Sequence, residues 1–262
     1  MRDTELYIDP DTGVLRNKLG IKDPVALALT ERKLTLIMAR VLEEIPIRGD
    51  FDREHYCKIH KAYFEDLYEW AGQLRQIDIQ KPEDMLEGDS VPYADYEDIP
   101  MLLDRITERM RNRPWEDMTI MQKAVALATD MADIWKVHAF REGNTRTTVT
   151  FICDFAESKG IHLDRSLFRE YADYLRKSLV IMSVNPAYNV FLVNFVRSSM
   201  KEGWESRDQQ KQCEKGNIQT MRMRDVSRKI HIACSKISYP KESNQLNNEK
   251  AISKAYERRY PN

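Results

Sequence analysis

The sequence lacks the marks of several protein classes. No apolar run approaches the roughly 18–20 residues that a bilayer-spanning helix needs. The first 25 residues mix acidic and polar side chains and hold no apolar stretch of secretory type. A cytoplasmic protein without membrane contact is therefore expected, with export through a specialised apparatus as the other route. Cysteine is scarce: Cys57, Cys153, Cys213 and Cys234 form neither a CxxC pair nor a Cys/His cluster with zinc spacing, which argues against a disulfide scaffold and a structural zinc site and for a reducing compartment. The net charge is only -1, so overall charge singles out no partner. There is no internal repeat.

What is present is enough apolar residue, 42% of the chain, to bury a core and to exclude a disordered polymer. Charge is divided unevenly. Residues 201–262 carry 14 Lys+Arg against 8 Asp+Glu, so of the chain's 41 and 42 the first 200 residues hold 27 and 34. This predicts a main domain over 1–203 and a basic extension over 204–262 of no assigned fold. The extension reads as a solvated appendage, or as an arm for RNA or for the acidic body.

Helical periodicity dominates residues 20–200. Asp23-Pro24 opens a helix that stops before Pro46. Asp52 caps a second, closed by Gly72, with Tyr56, Ile59, Tyr63, Leu67 and Trp70 on one face. At LRQIDIQ the period changes, and Leu74, Gln76, Ile77 and Ile79 read as a short strand. Pro82, Gly88 and Pro92 then make a loop or hairpin. Further helices are expected over about 95–112, 117–137 from Glu116–Asp117, a fifth ended by Gly160, then 164–182 and 186–202. IHIACSKISY, 230–239, reads as a strand. The expected body is all-α with one small β element.

The informative stretch is His138-Ala139-Phe140-Arg141-Glu142-Gly143-Asn144-Thr145-Arg146. A histidine ends one helix, a glycine-containing loop follows, and a new helix begins within a few residues. The start of that helix offers unpaired N–H groups and partial positive charge, which suit an anion. Gly143 lets the backbone approach it closely, and Arg146 sits in the first turn where a guanidinium reaches phosphate. Glu142 alone would repel phosphate, but with Mg²⁺ between them the pair is sensible. His138 is left to take a proton from an incoming hydroxyl.

This string resembles the Fic family signature, HxFx(D/E)GNxRxxR, at His138, Phe140, Glu142, Gly143, Asn144 and Arg146. Six fixed positions match by chance in on the order of 1 in 10⁵ chains or fewer at ordinary residue frequencies. YIDPDTGVLRNKLGI near the start and IHKAYFEDLYEWAGQLRQIDI at 59–79 extend the resemblance to about 4–200. It implies a Fic-type helical bundle with a β-hairpin flap beside the active site, using ATP and Mg²⁺ to place AMP on Ser, Thr or Tyr hydroxyls of a target protein. His138 is implied as the general base and Glu142 as the Mg²⁺ ligand. Asn144 and the backbone around Gly143 are implied to hold the α- and β-phosphates, and Arg146 the β-phosphate. Phe140 is implied to anchor the loop, with Arg141 and Thr145 completing it. Ile77, Asp78, Ile79 and Lys81 are implied as flap residues that register the target backbone.

Two positions depart from the pattern. Thr145 stands where many members have glycine, and Val149 where the signature's second arginine would meet the γ-phosphate. Ser198–Gly203 fits the family's short (S/T)xxxE(G/N) inhibitory pattern, but Val149 removes the partner that Glu202 would need. A small antitoxin-like regulator is a further partner that the resemblance implies. The alternatives are transfer of UMP, phosphate or phosphocholine on the same fold, or a weakly active binding module.

Overall fold

The structure, a computed structural model, describes residues 6–200. The basic extension, Cys213 and Cys234, the strand expected over 230–239, and Glu202 and Gly203 of the inhibitory pattern lie outside the described residues.

Eight α-helices position the site: α1 Pro24–Glu44, α2 Arg53–Phe64, α3 Ile99–Arg111, α4 Ile120–Val137, α5 Asn144–Ser158, α6 Arg165–Glu170, α7 Ala172–Val184 and α8 Val190–Ser199. The all-α expectation holds. α4 lies at the centre and packs on α3, α5, α7 and α8. Leu127, Met131, Ile134 and Trp135 are buried with Ala124, Ala128 and Ala132, a broad apolar face at helical spacing. Its only buried charge, Asp130, is held by Arg109 at 2.6 Å and by Arg113, as a buried carboxylate requires. α5 packs on α2 partly through hydroxyl pairs, Tyr56 with Thr148 at 2.9 Å and Tyr63 with Thr150 at 2.8 Å.

Several element boundaries differ from the sequence reading. Asp23 caps α1 as expected, but α2 stops at Phe64 and residues 65–72 turn back on themselves, Leu67 and Tyr68 N–H both bonding Phe64 C=O. Leu67 and Trp70 are buried all the same, so their spacing recorded burial and not a continued helix. α4 begins at a reciprocal capping box between Thr119 and Gln122, which displaces the start expected at Glu116–Asp117. The single helix expected over 164–182 bends at Tyr171 into α6 and α7, and Pro186–Tyr188 is a 3-10 turn ahead of α8.

The strand expected over 74–79 and its hairpin are not formed. Among the described residues the only β pairings are isolated bridges, one of which, Pro82 to Ser90, closes the loop. The reason is Arg75, which is buried. Its guanidinium donates to Ile77 C=O at 2.6 Å, to Val137 C=O at 3.4 Å and to Ala94 C=O. Ile77 C=O and Ala94 C=O, on the two sides of the loop, are thus satisfied by one side chain and not by each other's strands. Residues 74–95 therefore form an irregular loop fastened across the end of α4.

Candidate active site

The site is built where α4 ends and α5 begins. His138 terminates α4 in the left-handed region, φ 50° and ψ 56°, a conformation uncommon for a side-chain-bearing residue and found where surrounding contacts enforce it. Arg75 supplies those contacts. Its Nε–H donates to His138 C=O at 2.8 Å and its backbone N–H to Ala139 C=O at 2.8 Å. The imidazole is buried against Tyr93, with ring centroids 4.0 Å apart, and Trp135. Nδ1 donates to Trp135 C=O at 3.3 Å, and Nε2 is buried without a hydrogen-bond partner. Burial, followed by the nearby Lys81 and Arg176 cations, holds its pKa well below the ordinary histidine value. The ring is thus neutral, with its lone pair on Nε2.

The loop after His138 is fixed from three sides. Phe140 is fully buried and stacks on His60, centroids 3.8 Å apart, and on Tyr56. The Asn144 side chain bonds the Phe140 backbone twice, accepting from its N–H at 2.9 Å and donating to its C=O at 2.7 Å. The Asn144 amide thereby closes the loop on itself. His60 is the third support, accepting from Gly72 N–H at 2.8 Å on Nδ1 and donating from Nε2 to Glu142 C=O at 3.0 Å. Burial takes its pKa down to about 4.

Gly143 has φ +81°, and a β-carbon there would lie 2.2 Å from the Phe64 ring, so conformation and space both demand glycine. It precedes α5 with no side chain capping the helix. The first-turn N–H groups of a 15-residue helix are left for a ligand. Thr145 lies inside that helix, where its β-carbon is at home, and its hydroxyl accepts from Trp135 Nε1 at 2.9 Å. Arg141 is half-buried at the edge of the loop.

The two charged residues of the motif are both tied. Glu142 accepts from Lys81 Nζ at 2.8 Å and from Gly143 N–H at 3.1 Å. Burial pushes its carboxyl up, but Lys81, the Gly143 N–H and Arg146 outweigh that and bring it down to about 2. Arg146 pairs with Glu31 of α1 at 2.7 Å. Arg146, Glu142, Thr145 and Val149 line one groove of about 780 Å³ against the α1 residues Leu27, Glu31 and Thr35. His138 is not on its wall but beneath Tyr93.

Of the flap residues, Lys81 reaches the motif. Asp78 accepts from Tyr96 N–H at 2.8 Å and Arg75 at 3.4 Å, which fastens the loop to itself. Ile77 is buried and Ile79 half-buried. Sequence reasoning missed Arg75, His60, Tyr93, Glu31 and Arg176, the last of which ties α7 to the loop through Glu83 at 2.6 Å. A signal was present for His60 and Arg75, each a polar residue inside an apolar pattern. None was present for the others.

Among the described residues no group of three or more His, Cys, Asp and Glu could hold a metal. A single carboxylate kept ionised beside an anion site is nonetheless the donor set that suits Mg²⁺, which binds through one or two carboxylates and phosphate oxygens.

A neutral imidazole, a glycine turn, an uncapped helix start and a cationic first turn thus meet where α4 passes into α5. The chain belongs to the Fic/DOC family, whose pattern matches residues 50–156. It is 34% identical over 159 residues to y4lH of Sinorhizobium fredii, named a probable protein adenylyltransferase, covering 60% of this chain and 78% of that one. It is 36% identical over 159 residues to the protein adenylyltransferase VbhT of Bartonella schoenbuchensis, again over 60% of this chain. The match spans 32% of VbhT, about a third of its length. The fold is similar to an N-terminal Fic domain from Bartonella quintana, with TM-score 0.63 and 22% identity over 74% of this chain and 91% of that one. It is also similar to BepC of Bartonella tribocorum, solved with bound AMPPNP, with TM-score 0.63 and 20% identity over 74% and 95%. At these identities the likeness is one of fold.

Proposed function

We propose that this chain transfers AMP from ATP to a Ser, Thr or Tyr hydroxyl of another protein, releasing pyrophosphate. The observation that carries the reading is His138: a buried neutral imidazole whose Nδ1–H is occupied by Trp135 C=O and whose Nε2 is unpartnered, beside a glycine turn that opens an uncapped helix. An unpartnered buried nitrogen is costly unless a ligand completes it. The target hydroxyl is that ligand.

In the reaction the hydroxyl oxygen attacks the α-phosphorus and forms the new O–P bond. The bond from the α-phosphorus to the bridging oxygen breaks, and pyrophosphate leaves with the electron pair. The hydroxyl proton passes to Nε2. Arg146 and the N–H groups of α5 balance the charge on the departing phosphates. Lys81 and Arg176 depress the His138 pKa in the free protein. The bound triphosphate supplies charge of the opposite sign and returns the imidazole toward a useful base strength. Glu142 would hold Mg²⁺, which supplies charge neutralisation on the phosphates when bound, and Lys81 then gives up its contact with Glu142. Tyr93 covers the His138 ring, so the target's approach requires this side chain to move.

Incubation with a cell lysate, Mg²⁺ and ATP labelled at either the α- or the γ-phosphate tests the reading. Protein label from the α-position alone is expected. Label from the γ-position alone would mean phosphate transfer, and no label from either would mean a binding module. Each of those results contradicts the proposal.

A further inference from the structure

Two carboxylates face the anion end of the groove, Glu142 and Glu31. A second negative group in a phosphate pocket is repulsive unless it performs a task. Glu142 is balanced by Lys81. Glu31 lies on α1, 115 residues before Arg146. Its side chain is 12% exposed, and each of its two oxygens accepts a hydrogen bond: Oε1 from Arg146 Nη1 at 2.7 Å and Oε2 from the Tyr68 hydroxyl at 2.7 Å. Tyr68 is itself buried and stacked on Trp70, centroids 4.4 Å apart. Burial and the Glu31 charge keep its phenol protonated and therefore a donor. Glu31 is thus a carboxylate fixed in place by the core.

Arg146 is different. Its side chain is 40% exposed, it sits in the first turn of α5, and its guanidinium rests 6.0 Å from the Phe64 ring centroid. Left alone, a long side chain in such a position samples many rotamers, and binding a phosphate would have to order it. One contact through Nη1 fixes the guanidinium while leaving its other N–H donors available. A carboxylate that blocked the phosphate would have gripped the two-pronged edge of the fork, as bidentate pairs do.

We infer that Glu31 is a positioning residue for Arg146: anchored by Tyr68, it holds the guanidinium ready for the β-phosphate of the nucleotide. The inference rests on the nucleotide-transfer reading and deepens it. It predicts an effect confined to nucleotides that possess a β-phosphate, because Glu31 acts on the nucleotide through Arg146, while its other partner, Tyr68, is also held by stacking on Trp70.

Calorimetry with ADP and with AMP, on the whole chain in one buffer, tests this without turnover. Glu31→Ala should weaken ADP binding about tenfold, the scale of one charge-assisted contact, and leave AMP binding unchanged. Glu31→Gln keeps the shape and one acceptor oxygen for Arg146, without the charge and with an NH2 that can only donate toward the Tyr68 hydroxyl, and should fall between Ala and wild type. Tyr68→Phe frees the carboxylate and should shift ADP in the same direction. In an Arg146→Ala background Glu31→Ala should add nothing. Tighter ADP binding in Glu31→Ala would overturn the inference, because Glu31 would then compete with the phosphate. Equal losses for ADP and AMP, or a full Glu31 effect without Arg146, would overturn it too by showing a merely structural role. A wild-type chain that binds neither nucleotide would instead contradict the nucleotide reading on which the inference stands.

Discussion

Lys81 and Glu142 meet at 2.8 Å, and at this scale the site is a set of opposed charges waiting for a ligand. On the proposed reading the ammonium occupies the carboxylate that would take Mg²⁺, so metal and Lys81 would compete. Removing Lys81 removes the competitor. Lys81→Ala is expected to lower the Mg²⁺ concentration needed for half-maximal nucleotide binding by about fivefold, which corresponds to roughly 1 kcal/mol for a partly exposed ion pair. A titration of nucleotide binding against Mg²⁺ reads this directly, and an unchanged or higher requirement would show that Lys81 does not hold the metal position. Other residues are equally specific in their tasks. Gly143 cannot accept a β-carbon beside Phe64, and Val149 presents an aliphatic wall to the groove where a second arginine stands in the family signature.

At the scale of elements, the loop of residues 138–143 is held from beneath by α2 through His60. This support titrates. His60 has its pKa taken down to about 4 by burial, from 6.5 for a free imidazole. Below pH 6.5 the unfolded chain binds a proton that the folded chain refuses, so stability present above that pH is lost as pH falls toward 4. At about 1.4 kcal/mol per pH unit, roughly 2 kcal/mol should be gone by pH 5. His138, also buried and neutral, acts in the same direction. Urea melts between pH 7 and 5 should therefore show a falling midpoint, and His60→Gln should remove the His60 share of the slope. A slope unaltered by the substitution would place the titration elsewhere. The helices were legible because their apolar residues recur at helical spacing, and the motif because glycine, a histidine and charges cluster within nine positions. The flap was misread for a physical reason. Leu74, Gln76, Ile77 and Ile79 look like a short strand, yet the buried Arg75 guanidinium takes Ile77 C=O, which a partner strand would have paired. The end of α2 was misread because Leu67 and Trp70 stay buried after the helix has turned. The partners of the motif were illegible because they are remote in the chain, Lys81 by 61 positions from Glu142 and Glu31 by 115 from Arg146. Nothing local to either residue records the contact.

For the whole molecule, α8 is part of the core of the described residues: its Leu192, Val193 and Val196 are buried. A chain ending at residue 203 is expected to melt cooperatively within a few degrees of the full chain and to keep its transfer activity. Loss of cooperative melting would show that residues 204–262 complete the fold. No described helix is long and apolar enough to cross a membrane. The chain as a whole is thus a scaffold that brings one imidazole, one carboxylate and one guanidinium from a short loop against contacts supplied by α1, α2 and the loop of residues 74–95. Its central claim is that His138 Nε2 removes a proton from a protein hydroxyl as AMP is transferred. Loss of a general base lowers rate by about 10²–10⁴-fold. The measurement that reaches it most directly is the mass of proteins from cells expressing the wild-type chain or His138→Ala. The account predicts Ser, Thr or Tyr side chains carrying an added AMP with the wild type and none with the variant at equal expression and equal thermal stability. AMP-bearing proteins at wild-type levels in cells expressing the variant would contradict it.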